Sequence, residues 1–471
     1  MLMNTFKIPI ALLLITVLNG CSATSFNDLF SSYAQQMQQV NIAQRQGNFK
    51  YAINVIPPRS ESDGTFNLRL LEQARLNFLD RDYAQSQVTF NDAYNLIQQQ
   101  QQAAKIELSR GVENVGAILS NDNATRYDIP YYEQSMLHSY QALNYLYQQD
   151  LSGALVEIRR ANLVQQSALH TNQDSLQSSR QSMVRQSDMS KQYPTMETTI
   201  GQVKNGFQNA FTFYLSALLY HSAGELNDAY IDYKKALEIY PNNTYLQRDV
   251  WRLANKLFMI DDVKQFKKRF SATITQESIP KNSGEVVVIV EQGIISPKQE
   301  SSIHLPIFTR HNDMRFYSVA LPTYQNNLTT YQPVQVRVQD EIFLSQEIVR
   351  LQSLAAKQLK DQYPLMVTRQ IARVVAKEEL RQQMSKQGGD IGNILASLYN
   401  ISSEKADTRS WSTLPNSIHI LRIPITAGEH TLSFNINGTT QNINVAITKE
   451  KQTLIKISAI GSYTDHQIHY F

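Results

Sequence analysis

From residue 25 to about 270, apolar side chains recur at three- and four-residue spacing with few breakers, which predicts a long run of amphipathic helices. After Ile279-Pro280 the pattern changes. Glu285 to Glu291 is a Val-rich run bounded by Gly284 and Gly293, the mark of a buried strand. Arg315 to Leu321 alternates, as do Val334, Val336 and Val338, and both predict half-buried strands. Further on, Leu432, Phe434 and Ile436 alternate up to Asn437-Gly438, a type I′ hairpin signal, and Ile443, Val445 and Ile447 come back from it. Ile455, Ile457 and Ala459 make another pass. Between the two strand groups, Ser345 to Lys386 has helical spacing with Pro364 as a break. Ile371, Val374 and Val375 share a face there, Gly388-Gly389 ends the run, and Ile391 to Leu398 forms a short further helix. The expected class is α+β: an N-terminal α-helical repeat domain, then an antiparallel β-sandwich-like domain with a helical insert at about 345–400.

The helical half carries a period. In Ala210 to Asn243, Phe213, Ala217 and Tyr220 lie on one face and Gly224 punctuates; Leu226, Ala229, Tyr233 and Ala236 follow, with Pro241 closing. Ala217 and Ala229 are small where two antiparallel helices approach closest, and Pro241 cannot donate to a helical ladder. The unit resembles the tetratricopeptide repeat. Tyr83, Ser86, Phe90 and Ala93 hold the second-helix positions of an earlier copy, with Asp80-Arg81 in place of glycine. Leu151, Ala154, Ile158 and Ala161 hold them in a middle copy, after Tyr140, Ala142 and Leu146. Ser86 and Ala154 stand two repeat periods apart, which leaves room for a degenerate unit around Ile106 to Leu119. Ala154 and Ala229 are separated by somewhat more than two periods, and the slack falls in the polar stretch His170 to Tyr193, either a helix extension or a loop. Three hairpins meet the minimum for a stacked solenoid.

The start of the chain supplies an address. Ile8 to Leu18 is an apolar run of eleven residues behind Lys7. Eleven is too short for a permanent span, which needs about 20, and fits the apolar core of a secretory signal. The run stops at Leu18-Asn19-Gly20-Cys21, which resembles a bacterial lipobox, although Asn19 departs from the usual Ala, Ser or Thr. Cys21 is the expected lipid attachment site, because its thiol accepts the diacylglyceryl group before cleavage. More than one acyl chain makes anchoring stable. Ser22 rather than Asp follows, which by resemblance to the sorting rule directs such a protein to the outer membrane, facing the periplasm. Phe471 matches the last residue of outer-membrane barrels, but Gln467 and His469 break the alternation a barrel strand needs.

Composition narrows the function classes. Charged residues are 18% of the chain and the net charge is +3 with both signs scattered, which excludes a dedicated nucleic-acid binder. Gly at 17 and Pro at 14 are sparse in 471 residues, as long helices require. One cysteine permits no intrachain disulfide and no multi-thiolate metal site. The shift to Thr, Ser, Pro and Gly between Phe270 and Asn282 marks a boundary: a signal peptide at 1–20, a helical domain at 21–275 and a β domain at 282–471, with fragments 25–275 and 282–471 expected to fold alone.

No metalloprotease, nucleophile-elbow, phosphate-loop or dinucleotide motif is present, so no catalytic, cofactor-binding or metal residue is assigned. His466 and His469 are expected at the surface. One cluster stands apart: Asp407-Thr408-Arg409-Ser410-Trp411, followed by Leu414-Pro415-Asn416. Asp407, Arg409 and Trp411 suit a structural loop held by side-chain-to-backbone bonds, or a partner contact.

The lipobox, Ala142 to Leu146, Glu157 to Ala161, the Val-rich strand and the Asp407 to Trp411 loop together resemble one family: tetratricopeptide-repeat-containing proteobacterial lipoproteins of the cell envelope. The resemblance spans most of the chain beyond the signal. It implies a non-enzymatic scaffold that meets envelope proteins, in a setting shared with lipoproteins that activate peptidoglycan synthesis; peptidoglycan itself is a candidate partner. The alternative is a glycan-binding or glycan-processing protein acting through the C-terminal domain near Asp407 or His430.

Overall fold

Helix pairs turn the same corner five times along the described N-terminal half. In this computed structural model, which describes residues 31–109, 123, 125–185, 193–270, 281–308, 314–376 and 405–471, α1 (Tyr33–Gln36) and α2 (Gln38–Arg45) lead to α3 (Phe49–Asn54). Then α4 (Phe66–Leu79) pairs with α5 (Tyr83–Ser109), and α6 (Tyr131–Tyr147) with α7 (Leu151–Arg185). A short α8 (Glu197–Ile200) precedes α9 (Ala210–Ser222) with α10 (Leu226–Ile239), and α11 (Thr244–Lys256) with α12 (Ile260–Arg269). At each corner one residue is left-handed: Gly47 (φ 74), Arg81 (φ 64), Gln149 (φ 63), Gly224 (φ 83) and Phe258 (φ 57). The following N–H, of Asn48, Asp82, Asp150, Glu225 or Met259, reaches the carbonyl five residues back at 2.8–3.0 Å. That bond closes the end of the first helix and aims the second back along it.

One repeat period separates Gly47 from Arg81 and Gly224 from Phe258, and two periods separate Arg81 from Gln149. Gln149 to Gly224 is two periods with a few residues to spare. The described chain therefore holds five such corners where the sequence indicated three hairpins. The two additions flank the recognised units at single-period spacing. Arg81 does the work expected of glycine in the first unit. The extra residues before the third unit fall where α7 continues as helix to Arg185. Ser86, Ala154, Ala217 and Ala229 are fully buried at the close approaches, and the Ser86 hydroxyl donates to the Ala74 carbonyl across the α4–α5 pair at 2.8 Å. The lipobox with Cys21, residues 110–119 of the degenerate unit, and the insert from residue 377 through the Gly388 to Leu398 stretch lie outside the described residues.

The C-terminal half forms an antiparallel sheet region with one parallel pair. A five-stranded sheet has the order β11 (Tyr463–Tyr470), β10 (Gln452–Ile460), β1 (Ser283–Gln292), β7 (Ser417–Thr426), β6 (Gln346–Arg350); β1 and β10 run parallel. A four-stranded sheet has the order β5 (Glu341–Leu344), β4 (Gln335–Val338), β8 (Gly428–Ile436), β9 (Thr439–Ile447). Its β8–β9 turn carries Asn437 and Gly438 at φ 51 and 83, the expected type I′ geometry. A ribbon of β2 (Gln299–Phe308) and β3 (Met314–Thr323) stands apart from both.

The insert is one helix, α13, over residues 351–376 of the described chain. It begins after β6 rather than at Ser345, and it runs through Pro364 without ending. A proline removes one ladder bond, and tertiary packing on both sides of Pro364 holds the rest of the helix. Val367 and Val374 pack on Ile303, Val319 and Leu321 of the ribbon, with Ile371 and Val375 beside them. Ser353 donates to the Thr199 carbonyl at 2.6 Å, tying the insert to the helical half as well. No helix among the described residues is long and apolar enough to cross a membrane.

The chain leaves α12 at Arg269 and enters β1 at Ser283, where the composition shift placed the boundary. One hydrophobic cluster nevertheless runs through both halves, from Leu68 and Tyr140 through Leu218 to Val288, Ile420 and Ile457.

Candidate functional site

Side chains alternate across β1, and with them the chemistry of the five-stranded sheet. Glu285, Val287, Ile289 and Glu291 share the face that also carries Arg422 from β7 and Lys456 from β10, as the strand register requires. Val286, Val288 and Val290 share the opposite face with Leu421, Ile423, Ile455 and Ile457. The charged face is the one laid against the helices.

Two buried clusters make that contact. In the first, Glu291 accepts from Arg75 of α4 at 2.6 Å, Tyr140 of α6 at 2.9 Å and Lys456 at 2.9 Å. The Arg75 guanidinium also lies over the Tyr140 ring, 4.3 Å from its centroid. Burial opposes ionisation of Glu291, but Arg75 and Lys456 hold its carboxyl down at about 2. Two cations face one carboxylate there. Burial pushes the Lys456 ammonium down to about 8, against the pull of Glu291.

In the second cluster, Arg422 pairs with Asp249 of α11 at 3.0 Å and with Glu285 at 2.5 Å, and donates to the Tyr233 hydroxyl of α10 at 2.8 Å. Arg252 pairs with Asp249 at 2.9 Å and with Glu285. Burial works against the Glu285 carboxylate, and Arg422 and Arg252 overcome it, leaving its proton affinity below the usual carboxylate range.

The Asp407 to Trp411 loop enters the same seam farther along the helices. Glu72 of α4, fully buried, accepts from the Ser412 N–H at 2.7 Å, the Ser412 hydroxyl at 2.9 Å and the Thr413 N–H at 3.0 Å. Glu133 of α6 accepts from the Trp411 N–H at 3.1 Å and from the Tyr127 and Tyr132 hydroxyls, both at 3.0 Å. The Trp411 ring is fully buried against Phe90 and Tyr140, and its Nε1–H donates to the Thr413 hydroxyl. Asp407 accepts from the Arg409 N–H at 3.0 Å and from its guanidinium at 2.7 and 2.8 Å. Arg409 in turn donates to the Thr125 carbonyl. Burial disfavours the Asp407 carboxylate, but the Arg409 charge outweighs it and keeps the group ionised.

The structure thus brings Asp407, Arg409 and Trp411 together as a loop held by its own side chains and by two helix carboxylates. Asp407 is committed to Arg409, so the glycan-processing alternative has no free carboxylate there. His430 is bonded to the carbonyl of Thr426, at the end of the preceding strand β7. His469, expected at the surface, is buried beside Phe471, and burial lowers its proton affinity; His466 is half-buried. Among the described residues no three His, Cys, Asp or Glu side chains converge to hold a metal ion.

Sequence reasoning missed the seam residues, although the chain carries a signal for them. A lone Arg in Ile-Leu-Arg-Ile and a lone Lys in Leu-Ile-Lys-Ile interrupt otherwise apolar strands. Glu72 and Arg75, one turn apart on a single helix face, are a further sign. Most of the helix residues in these contacts come from first helices of the hairpins, Glu72 and Arg75 on α4, Glu133 and Tyr140 on α6, and Asp249 on α11, with Tyr233 added from the second helix α10. In a tetratricopeptide-like array that face is the usual seat of a peptide. Here the chain's own sheet and loop occupy it.

No family model and no curated protein matches the chain. Among solved structures it is similar to MamA, at 11% identity over 50% of this chain and 95% of that one, with a TM-score of 0.28. A MamA fragment from Desulfovibrio magneticus RS-1 gives 13% identity, 52% and 97% coverage and a TM-score of 0.28. A putative kinesin light chain from Podospora anserina with TPR-like repeats gives 8% identity, 52% and 96% coverage and a TM-score of 0.28. At such scores the superpositions carry no argument. The helical half is TPR-like on its own corners and spacing.

Proposed function

We propose that the chain is a non-enzymatic scaffold of the cell envelope. In this reading it is a lipoprotein held in the outer membrane by acyl chains on Cys21, facing the periplasm and meeting envelope proteins in a complex that serves peptidoglycan synthesis. The observation that carries the scaffold part is the filled helix face. A repeat array with an open groove acts as a peptide receptor, whereas this one is locked to its own sheet and offers partners its outer surfaces. Exposed Val156 and Leu163 on α7 stand on such a surface. The lipobox and the family resemblance support the address.

The test is photo-crosslinking in intact envelopes, with reactive residues placed at Val156 and Leu163. A defined envelope protein captured at these positions is expected; background alone overturns the reading. The anchor is tested separately: Cys21→Ser should abolish incorporation of labelled palmitate, and a variant that still incorporates it removes the address. Sedimentation with purified peptidoglycan decides whether the glycan is contacted directly.

A further inference from the structure

The five corners are built alike in backbone and differ in what fills them. Gly47 and Gly224 meet the left-handed requirement without strain, and Arg81 and Gln149 meet it with long polar side chains. At three of the four the next residue also caps the second helix: Asn48, Asp82 and Asp150 accept from Tyr51, Gln85 and Gly153 N–H groups at 3.3, 3.0 and 2.8 Å. The fifth corner forgoes both devices. Phe258 takes the left-handed conformation, and Met259 stands in the cap position with no side-chain cap bond. Phe258 is 84% exposed and Ile260 is 65% exposed, with Met259 between them, so the ring gains nothing from packing. A strained aromatic that packs on nothing in its own fold is placed there for something outside it.

Its surroundings say what. Exposed Lys256 precedes the tip, and exposed Lys264, Lys267, Lys268 and Arg269 follow it on α12. The two acidic residues in the segment are Asp261, exposed, and Asp262, which is bonded to Lys234 and Tyr230. Lys256 and Lys264 stand within about a turn of the apolar tip, and Lys267, Lys268 and Arg269 carry the basic collar on along α12 to its last turn, ~10–14 Å away by helix rise, against one exposed carboxylate. We propose that the Phe258-Met259-Ile260 corner is a second membrane contact, in which the tip enters the headgroup boundary of an anionic lipid leaflet and the collar meets the phosphates. It rests on the envelope address only for its biological setting. Such a contact would hold the repeat body against the leaflet rather than leave it free on an N-terminal tether.

The test uses the chain from Cys21 onward, made without acyl groups, so that its outcome is independent of the anchor. Phosphatidylethanolamine vesicles doped with phosphatidylglycerol should sediment the protein, and pure phosphatidylcholine vesicles should not. Raising the salt to about 0.5 M NaCl should reduce binding at least several-fold, because it screens the collar. Phe258→Gly with Ile260→Ser should lower binding at least tenfold. Phe258→Gly alone should leave the thermal midpoint unchanged or higher, because it relieves the backbone. Absence of binding to the anionic vesicles, or full binding by the double variant, overturns the proposal. So does a concentration-dependent dimer that Phe258→Gly abolishes, which would assign the tip to a second copy of the chain.

Discussion

The two faces of the five-stranded sheet are both buried and are built from opposite chemistry. The outer face is mainly Val, Ile and Leu, with His419 and Thr453 among them, and most of its energy comes from area removed from water, which is non-directional and tolerant of small changes. The helix face carries Glu285, Glu291, Arg422 and Lys456, whose mutual attraction is offset by the desolvation of each charge. The charges therefore add little net stability as a set, yet each is indispensable while its partners remain. They also match only one register between strands and helices: Arg422 meets Asp249 and Tyr233 only if β7 lies where it does. The apolar face holds the sheet in place, and the charged face fixes how it is placed.

The comparison breaks most completely if the helix face is removed. Fragment 282–471 would expose Glu285, Glu291, Arg422 and Lys456 without their helix partners, together with the apolar surface of the shared core. The expectation of separable halves drawn from composition runs against this contact. The 282–471 fragment is expected to lack a cooperative thermal transition by circular dichroism, and the 25–275 fragment to lose most of its stability. A cooperative transition in isolated 282–471 would mean the seam is only an interface between two finished domains.

Next in size is Arg422→Met, which leaves buried Asp249 and partly buried Glu285 with Arg252 as their remaining cation. Breaking a buried pair from one side costs about 3–5 kcal/mol, and urea unfolding should show a loss of that order. A loss below about 1 kcal/mol would mean that water or Arg252 supplies what Arg422 gave.

Much of this was legible in the chain beforehand. The helix-to-strand change near residue 280, the Ala217–Ala229 hairpin and the Asn437-Gly438 turn each rest on local rules, and local rules survive folding. The corner at Phe258 was not legible, because the left-handed residue there is neither Gly nor Asn and the backbone bond that forces it leaves no mark in composition. The seam left only an ambiguous mark. A lone Lys456 in a strand is equally an edge residue on the solvent side until Arg75 and Tyr140, from the opposite half of the chain, are seen against Glu291. The Asp407 to Trp411 cluster stood out in the chain as a structural loop or a partner contact, and its clamps Glu72 and Glu133 come from other elements.

A smaller effect distinguishes the carboxylates within the seam. Glu291 is held at about 2, so its contribution is fully present above pH 4.5 and is lost as the pH falls through 2. Glu133 goes the other way: burial, opposed by the Trp411 N–H, raises it to about 7. The folded chain then binds more protons there than the unfolded one, so its contribution is present below pH 4.5 and is lost as the pH rises through 7. At 1.36 kcal/mol per unit, the loss across that window is on the order of 3 kcal/mol. Glu133→Gln should flatten the rise in urea sensitivity between pH 5 and 8. An unchanged slope would place the titrating group elsewhere.

The smallest effect belongs to the apolar face. Ile455 is fully buried and stands beside Val288 in the parallel β1–β10 pair, on the side away from the charges. Ile455→Val removes one methylene, keeps the β-branch that suits a strand, and leaves no polar group without a partner. The loss is expected at about 0.5–1.5 kcal/mol, from transfer and a small void together. The slope of the urea transition should not change, because the area exposed on unfolding is nearly the same. The ratio of this loss to that of Arg422→Met is the quantity that tests the contrast between the faces. If Ile455→Val proved as damaging as Arg422→Met, the apolar face would be as exacting as the charged one, and register would have to be assigned to packing instead.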